Sequence, residues 1–370
     1  MNNLYIDMHV IQALPPSCLN RDDTGSPKSA MYGGVRRARV SSQSWKHAMR
    51  LMFKEHFDQS DLGIRTKRLV EYVAEEIKLL DSSKSDEQVT ELAERIINAA
   101  NVSTADGKAK ALFFIGAQQA KNLAKLVVNT DFGEMDALEE NEKKRKEKTL
   151  KDNAHAILVK DNAVDVALFG RMVADDPSLN SDASAQVAHA ISTHRADTEF
   201  DYFTAADDRA PEDNAGAGMI GTIEFNSSTL YRYATVAAHE LYGQLKENAD
   251  ATVKAIVEFV RAFAKSMPDG KMNTFANRTP TAAVYIAIRD DHPVNLVGAF
   301  EEPIKSENGY TAASIKRLGE YAQNVYKSFA LKPEHGYVTA LYDGLDEIGT
   351  RCDWDVLLEN IATDVRGALQ

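Results

Sequence analysis

The chain has 370 residues, 44% hydrophobic and 26% charged, with a formal net charge of -12; this implies one large elaborated domain or two, with a real core. Its two cysteines, Cys18 and Cys352, exclude a disulfide framework and a Cys-rich zinc site and fit a reducing cytoplasm. No apolar run approaches the ~18 residues of a membrane span, and the start, which carries Asp7 and no basic segment, does not read as a secretory signal.

Residues 4–14, LYIDMHVIQAL, alternate around Tyr5, Asp7 and His9 and predict a half-buried strand. A loop rich in turn residues follows, as far as Gly34. Ser41 or Ser42 is the N-cap of a helix that sets Trp45, Met49, Met52 and Phe53 on one side. From 61 to about 175 the pattern is almost wholly helical. It includes ALFFIGAQQAKNLAKLV, the charged EENEKKRKEK and a closing helix over AVDVALFGRMVAD.

A polar, Gly-rich stretch flanked by aromatics comes next. It reads as a protruding hairpin that returns through IGTIEF to a separate sheet strand, TLYRYATV. A long helix over about 238–267, a strand TAAVYIAIR, a helix near 312–330, a strand GYVTALY and a last amphipathic helix complete the chain. Strands at both ends with helices between them predict an α+β core whose sheet is assembled from distant segments, with helical material inserted.

The charge is segregated. Residues 1–50 carry a net +4 and residues 51–370 a net -16. Overall acidity speaks against bulk nucleic-acid binding, but phosphate is felt only within about 8–10 Å at ordinary salt. Between Lys28 and Arg50 stand six Lys/Arg and no acid: Lys28, Arg36, Arg37, Arg39, Lys46 and Arg50. The pair Gly33-Gly34 allows close backbone approach, arginine forks match phosphate, and the helix starting at Ser41/Ser42 aims its N–H groups the same way. Gln43, Lys46, His47 and Arg50 share a helical stripe. A donor strip of that length suits a polymer backbone, although the residues alone equally allow a solvated basic surface.

Other motifs carry less. GAGMIG (Gly216, Gly218, Gly221) meets GxGxxG, but an acidic loop precedes it and a strand follows, so a dinucleotide site is rejected for a flexible arm tip. His189 and His194, five residues apart, do not form a helical zinc pair and read as one helix-face and one helix-end histidine. Asp22 and Asp23 could ligate a metal or act as a base, yet such loop residues usually bond to their own backbone. No metal or cofactor is expected. Tyr202 and Phe203 lie in an acidic arm and read as a local anchor or as base-stacking faces, and Met172 reads as core.

PSCLNRDD, YGGVRRARVSSQSWKHAMR, VDVALFGRM, AHAISTHRADTEFDYFTAADD and SSTLYRYA together resemble the CasC family, the backbone subunits of type I-E CRISPR surveillance complexes (Cascade). The resemblance is dense over 4–50 and 164–236 and looser elsewhere. It implies an RRM-like, modified ferredoxin-like palm (1–58, 182–196 and 229–370), a helical fingers insertion (59–181) and a thumb hairpin (197–228). It implies a non-catalytic scaffold whose copies stack along one CRISPR guide RNA, kink it at intervals and present it to target DNA, with other Cascade subunits as partners. By the same resemblance Arg21, Lys28, Ser41, Gln43, Lys46 and Arg50 would hold guide phosphates and sugars, with Asn20, Arg36, Arg37, Arg39, Ser42 and His47 as further RNA-binding candidates. Distant relatives of type III complexes, which cut RNA with a loop aspartate, imply as the alternative a metal-dependent ribonuclease using Asp22 or Asp23. Arg171 and Met172 would lie at the kink, and Tyr202, Phe203, Thr204 and Ile220 would form a wedge. The chain departs from the pattern at Val35 and His47, where a basic residue is expected, and at Tyr202, where a tryptophan is.

Overall fold

The strand predicted over 4–14 runs from Tyr5 to Ser17 and lies inside a ten-stranded sheet. The computed structural model describes residues 3–205, 219–329 and 332–370. Met219–Ala237 flanks this strand on one side, with Ala237 opposite Tyr5, and Ala283–Arg289 on the other, with Arg289 opposite Tyr5; both are antiparallel. His335–Ala340 and the parallel Thr350–Arg351 extend one side. Ala190–Ser192, Val35–Val40 and Ser29–Tyr32 extend the other. The architecture is α+β, as the split strands imply.

The Tyr5–Ser17 strand is covered on both faces, not one. Ile6, Met8 and Val10 pack beneath the helices Ser42–His56, Ala249–Lys265 and Trp354–Leu369. On the other face Ile11, Tyr231, Tyr233 and Tyr285 pack beneath Thr311–Phe329 and the turn Leu296–Phe300. The polar positions of the alternation, Asp7 and His9, are therefore buried. Asp7 accepts from the Tyr233 hydroxyl at 2.8 Å and from the Val294 N–H at 2.8 Å. Burial nonetheless pushes its carboxyl up to about 6. His9 Nδ1 lies 2.9 Å from the Tyr231 hydroxyl, and burial pushes this imidazole down to about 3.

A second apolar core is built by the helices Leu69–Leu80, Asp86–Ala99, Ala117–Val128 and Glu140–Val159 and takes no residue from the large sheet. Ser85 and Gln88 close a capping box at the start of its second helix. The block is less helical than predicted. Gly63–Thr66 pairs with Phe113–Gly116, so the apolar run FFIG is a strand and its helix begins only at Ala117. Periodicity cannot separate a short apolar strand from a buried helix. The helix predicted over AVDVALFGRMVAD spans only Val164–Phe169 and stops at Gly170, whose φ is 77°.

Two further boundaries differ. The predicted 238–267 helix is two, Ala238–Gln244 and Ala249–Lys265, because Lys246 and Glu247 adopt φ of 59° and 57° and Asn248 caps the second by accepting from the Ala251 N–H. IGTIEF and TLYRYATV form one strand, Met219–Ala237, whose outer part pairs with Glu199–Ala205 as a hairpin arm. Residues 219–225 of this arm extend ~20 Å at about 3.3 Å per residue. Gly216 and Gly218 lie outside the described residues. No helix among the described residues is long and apolar enough to cross a membrane.

Candidate nucleic-acid interface

The first helix is anchored at its start by the loop before it. The Asn20 side-chain carbonyl accepts from the Ser41 N–H at 2.9 Å, and Ser41 in turn accepts from the Ser44 N–H as the N-cap. The Lys28 N–H donates to the Asn20 carbonyl and the Arg39 N–H to the Lys28 carbonyl, at 2.8 and 2.9 Å. These bonds join the loop, the Val35–Val40 strand and the helix start. Asn20 and Ser41 thus hold the start of the helix, beside which Arg21 and Gln43 are exposed and Lys28 and Ser42 half-buried. Beside it Arg39 donates to the Ser29 carbonyl, and its guanidinium lies 3.2 Å from His189 Nδ1. Burial and then the charges of Arg39 and Lys28 hold the His189 imidazole below its ordinary pKa.

Further along the helix, Lys46 and Arg50 meet the Val164–Phe169 helix and the small sheet of Gly63–Thr66 and Phe113–Gly116. Arg50 pairs with the buried Asp165 at 3.0 Å and donates to the Gly63 carbonyl at 3.2 Å, while the Gly63 N–H donates to Asp165 at 2.7 Å. Arg65, on the Gly63–Thr66 strand, joins them: its guanidinium lies 4.9 Å from the Phe114 ring centroid and that of Arg50 4.4 Å. Lys46 sits 5.7 Å from the Phe169 ring centroid. Burial and then Arg65 depress the Lys46 ammonium; burial and then Arg50 depress Arg65. Burial pushes the Asp165 carboxyl up, against the pull of Arg50. Arg65 was missed in the sequence because no spacing ties it to the stripe. Within the short charged run RTKR it reads as surface.

Two expectations for the strip change, and one for the kink. Gly33 and Gly34 do not cradle an anion: with φ of 59° and 75° they form the two-residue turn between Ser29–Tyr32 and Val35–Val40. A β-carbon on Gly33 would stand 1.6 Å from the Glu301 carbonyl oxygen, so this position admits glycine alone. Arg37 is fully buried, donating to the carbonyls of Tyr32, Ser192, Phe300 and Glu301. Arg171 is buried in the second core, donating to the carbonyls of Leu179, Phe114 and Leu158. Both guanidiniums are committed to backbone oxygens, which burial demands of an unpaired cation. Neither is available to a phosphate. Arg36 and His47 are exposed.

Arg171 does have a consequence for its neighbour. Its anchored side chain and the antiparallel bridge from Arg171 to Ser181 turn Met172 outward, 85% exposed rather than in the core. On the arm, Tyr202 faces Thr222, Phe203 faces Gly221 and Thr204 faces Ile220. Opposed residues share a face of a sheet, so Tyr202, Thr204 and Ile220 lie together with Phe200, and Phe203 lies on the other face with Met219. Phe200, Tyr202, Met219 and Ile220 are all exposed. Phe200 and Met219 were not singled out in the sequence, although the period-2 rule applied to EFDYF would have flagged the first.

The remaining candidates are occupied locally. One Asp22 oxygen accepts from the Thr24 N–H, the Ser26 N–H and the Thr24 hydroxyl, and these bonds, that of the hydroxyl foremost, hold its carboxyl below the ordinary value. His189 and His194 stand beside strands, not on a helix. His194 is bonded at both nitrogens, to the Arg195 carbonyl and the Thr229 N–H, and stacks on Tyr310 at 3.7 Å. Among the described residues no three His, Cys, Asp or Glu side chains are grouped to hold a metal.

The chain is similar along its length to chains of two solved assemblies. One belongs to a "CRISPR RNA-guided surveillance complex, pre-nicking": identity is 29%, covering 98% of this chain and 100% of that one, with a TM-score of 0.82. The other belongs to a "CRISPR RNA-guided surveillance complex": identity is 27%, covering 97% and 99%, with a TM-score of 0.63. No curated protein matches. The resemblance to Cascade backbone subunits drawn from the motifs agrees with both structures, and the profile of one family matches residues 6–356: the chain belongs to the CT1975-like protein family.

Proposed function

We propose that this protein is a non-catalytic RNA-binding scaffold of a type I-E Cascade complex. Its copies line up along a CRISPR guide RNA in the cytoplasm, with other Cascade subunits at the ends. In this reading the large sheet and its helices, residues 1–58, 182–196 and 229–370, are an RRM-like palm. The helical block 59–181 forms fingers, and 197–228 is a thumb. Lys28, Arg39, Lys46, Arg50 and the open first turn at Ser42 and Gln43 hold guide phosphates and sugars. The exposed arm residues Tyr202, Thr204 and Ile220, with Met172, press on bases of the next segment, kink the guide and leave short stretches free to pair with target DNA.

The observation that carries the proposal is the strip of cations running from Lys28 along the first helix, in a chain that is otherwise strongly acidic. Its donors outnumber its acids, which suits a polyanion bound by its backbone. The two surveillance-complex chains supply the kind of assembly. Asp22, committed to its own loop, gives the ribonuclease reading no support.

Nuclease protection tests the proposal. The chain is co-expressed with a CRISPR transcript and its partner subunits, purified and digested, and the surviving RNA is sized. A ladder with a constant step is expected, one step per copy. RNA cut at one place in a manner dependent on Asp22 or Asp23 would make the protein an enzyme, and oligomers that persist without RNA and ignore Lys46→Glu would make it a structural protein.

A further inference from the structure

Arg65, on the Gly63–Thr66 strand, shares the Phe114 ring with Arg50, which stands one turn after Lys46 on the first helix. One acid, Asp165, sits among the three cations here, and Arg50 and the Gly63 N–H already engage both of its oxygens. Arg65 and Lys46 form no ion pair among the described residues; their named contacts are with the rings of Phe114 and Phe169. Arg65 is exposed and Lys46 half-buried. Like charges pressed together beside apolar rings are unfavourable when alone and become favourable when one anion bridges them. The aromatic floor keeps both side chains extended and limits what they lose on binding.

Resting on the RNA-binding reading above, we infer that Lys46 and Arg65 form a two-sided phosphate site in which a nucleic-acid backbone phosphate bridges the first helix and the strand Gly63–Thr66. Lys46 supplies a point charge and Arg65 a fork. Besides its own place in the strip, Arg50 works with Asp165 to tie Gly63 to the helix, which fixes the distance between the two donors. The helical block is then a ligand-binding part of the protein.

The test titrates the full-length chain with a labelled single-stranded RNA of mixed sequence at several salt concentrations, for the native protein and for Arg65→Gln, Arg65→Lys and Lys46→Gln. Arg65→Gln should weaken binding about three- to ten-fold near 0.1 M salt and lower the salt slope by about 0.7, one phosphate on a single strand. Arg65→Lys should keep most of the slope. Melting temperatures of the Arg65 variants should be unchanged, since Arg65 is exposed. If Lys46→Gln lowers the slope and Arg65→Gln does not, the bridging site is wrong and the RNA-binding reading stands. If neither substitution changes binding, the inference fails; if the native protein binds no RNA at any salt concentration, the RNA-binding reading fails and the inference with it.

Discussion

The Phe203 ring lies against Gly221, its cross-strand partner on the arm: a β-carbon at Gly221 would fall 2.4 Å from Phe203 Cζ. An aromatic ring laid over a cross-strand glycine supplies the packing that the glycine lacks. Gly221→Ala should therefore lift the ring away and loosen the hairpin. Because the arm contributes little to either core, global stability should change by no more than about 0.5 kcal/mol. Hydrogen exchange at 199–205 and 219–225 is the readout, with faster exchange expected in the variant. In a Phe203→Ala background the same substitution should have almost no further effect. Unchanged protection in Gly221→Ala would mean that the ring does not rest there.

Arg37 and Lys46 belong to the same basic stretch and should behave in opposite ways. The fully buried Arg37 joins the Ser29–Val40 hairpin to Phe300 and Glu301 through their carbonyl oxygens. Arg37→Ala should cost about 3–5 kcal/mol, because several buried acceptors lose their donor together. The urea midpoint should fall at constant m, and the molecules that remain folded should still bind RNA. Lys46→Gln should leave the midpoint nearly unchanged. A fully stable Arg37→Ala protein that no longer bound RNA would reverse this assignment.

Much of the frame was legible in the sequence. The strand at 5–14, the cap at Ser41 and the amphipathic helices follow from period and capping chemistry, which are local. The two buried arginines were not legible. Arg37 is fixed by carbonyls more than 150 residues away in sequence, at Ser192 and Phe300, and nothing near it distinguishes it from the exposed Arg36. The break at Lys246 and Glu247 uses left-handed backbone at residues that seldom adopt it. Only Asn248, a good N-cap, hinted at a second helix start. The exposure of Met172 was not legible either, since it follows from the anchoring of Arg171.

Asp7 and His9 should give opposite pH dependences. Asp7, ordinarily near 3.8, is raised to about 6, so between those values the native state binds more protons than the unfolded chain. This contribution lowers stability as pH rises through that window, by a total on the order of 3 kcal/mol. His9, ordinarily near 6.5, is lowered to about 3, so there the native state binds fewer protons. Its contribution is present above pH 6.5 and is lost as pH falls. The two slopes oppose each other between about pH 4 and 6. His9→Gln should leave a protein whose urea midpoint falls from pH 4 to 6, and Asp7→Asn one whose midpoint rises over the same range. Parallel profiles for the two variants would contradict both assignments.

Lys46 and Arg50, one helical turn apart, separate binding from structure. Lys46→Glu reverses a charge that has no ion-pair partner among the described residues and faces the proposed ligand. It should weaken RNA binding about equally for all sequences and lower the salt slope, with little effect on folding. Arg50→Glu removes the partner of the buried Asp165 and sets a second carboxylate beside it. The Asp165 carboxyl, already raised by burial, would then be pushed further toward its protonated form, and Gly63 would lose its hold on the first helix. A loss of about 3–5 kcal/mol is expected, as for breaking a buried pair from one side. Asp165→Asn should cost less than Arg50→Glu, since it retains the oxygen that accepts from the Gly63 N–H. Pairing Arg50→Glu with Asp165→Lys should recover part of the lost stability without restoring RNA binding. If the paired variant instead bound RNA like the native protein, Arg50 would act on the ligand only through its hold on Asp165.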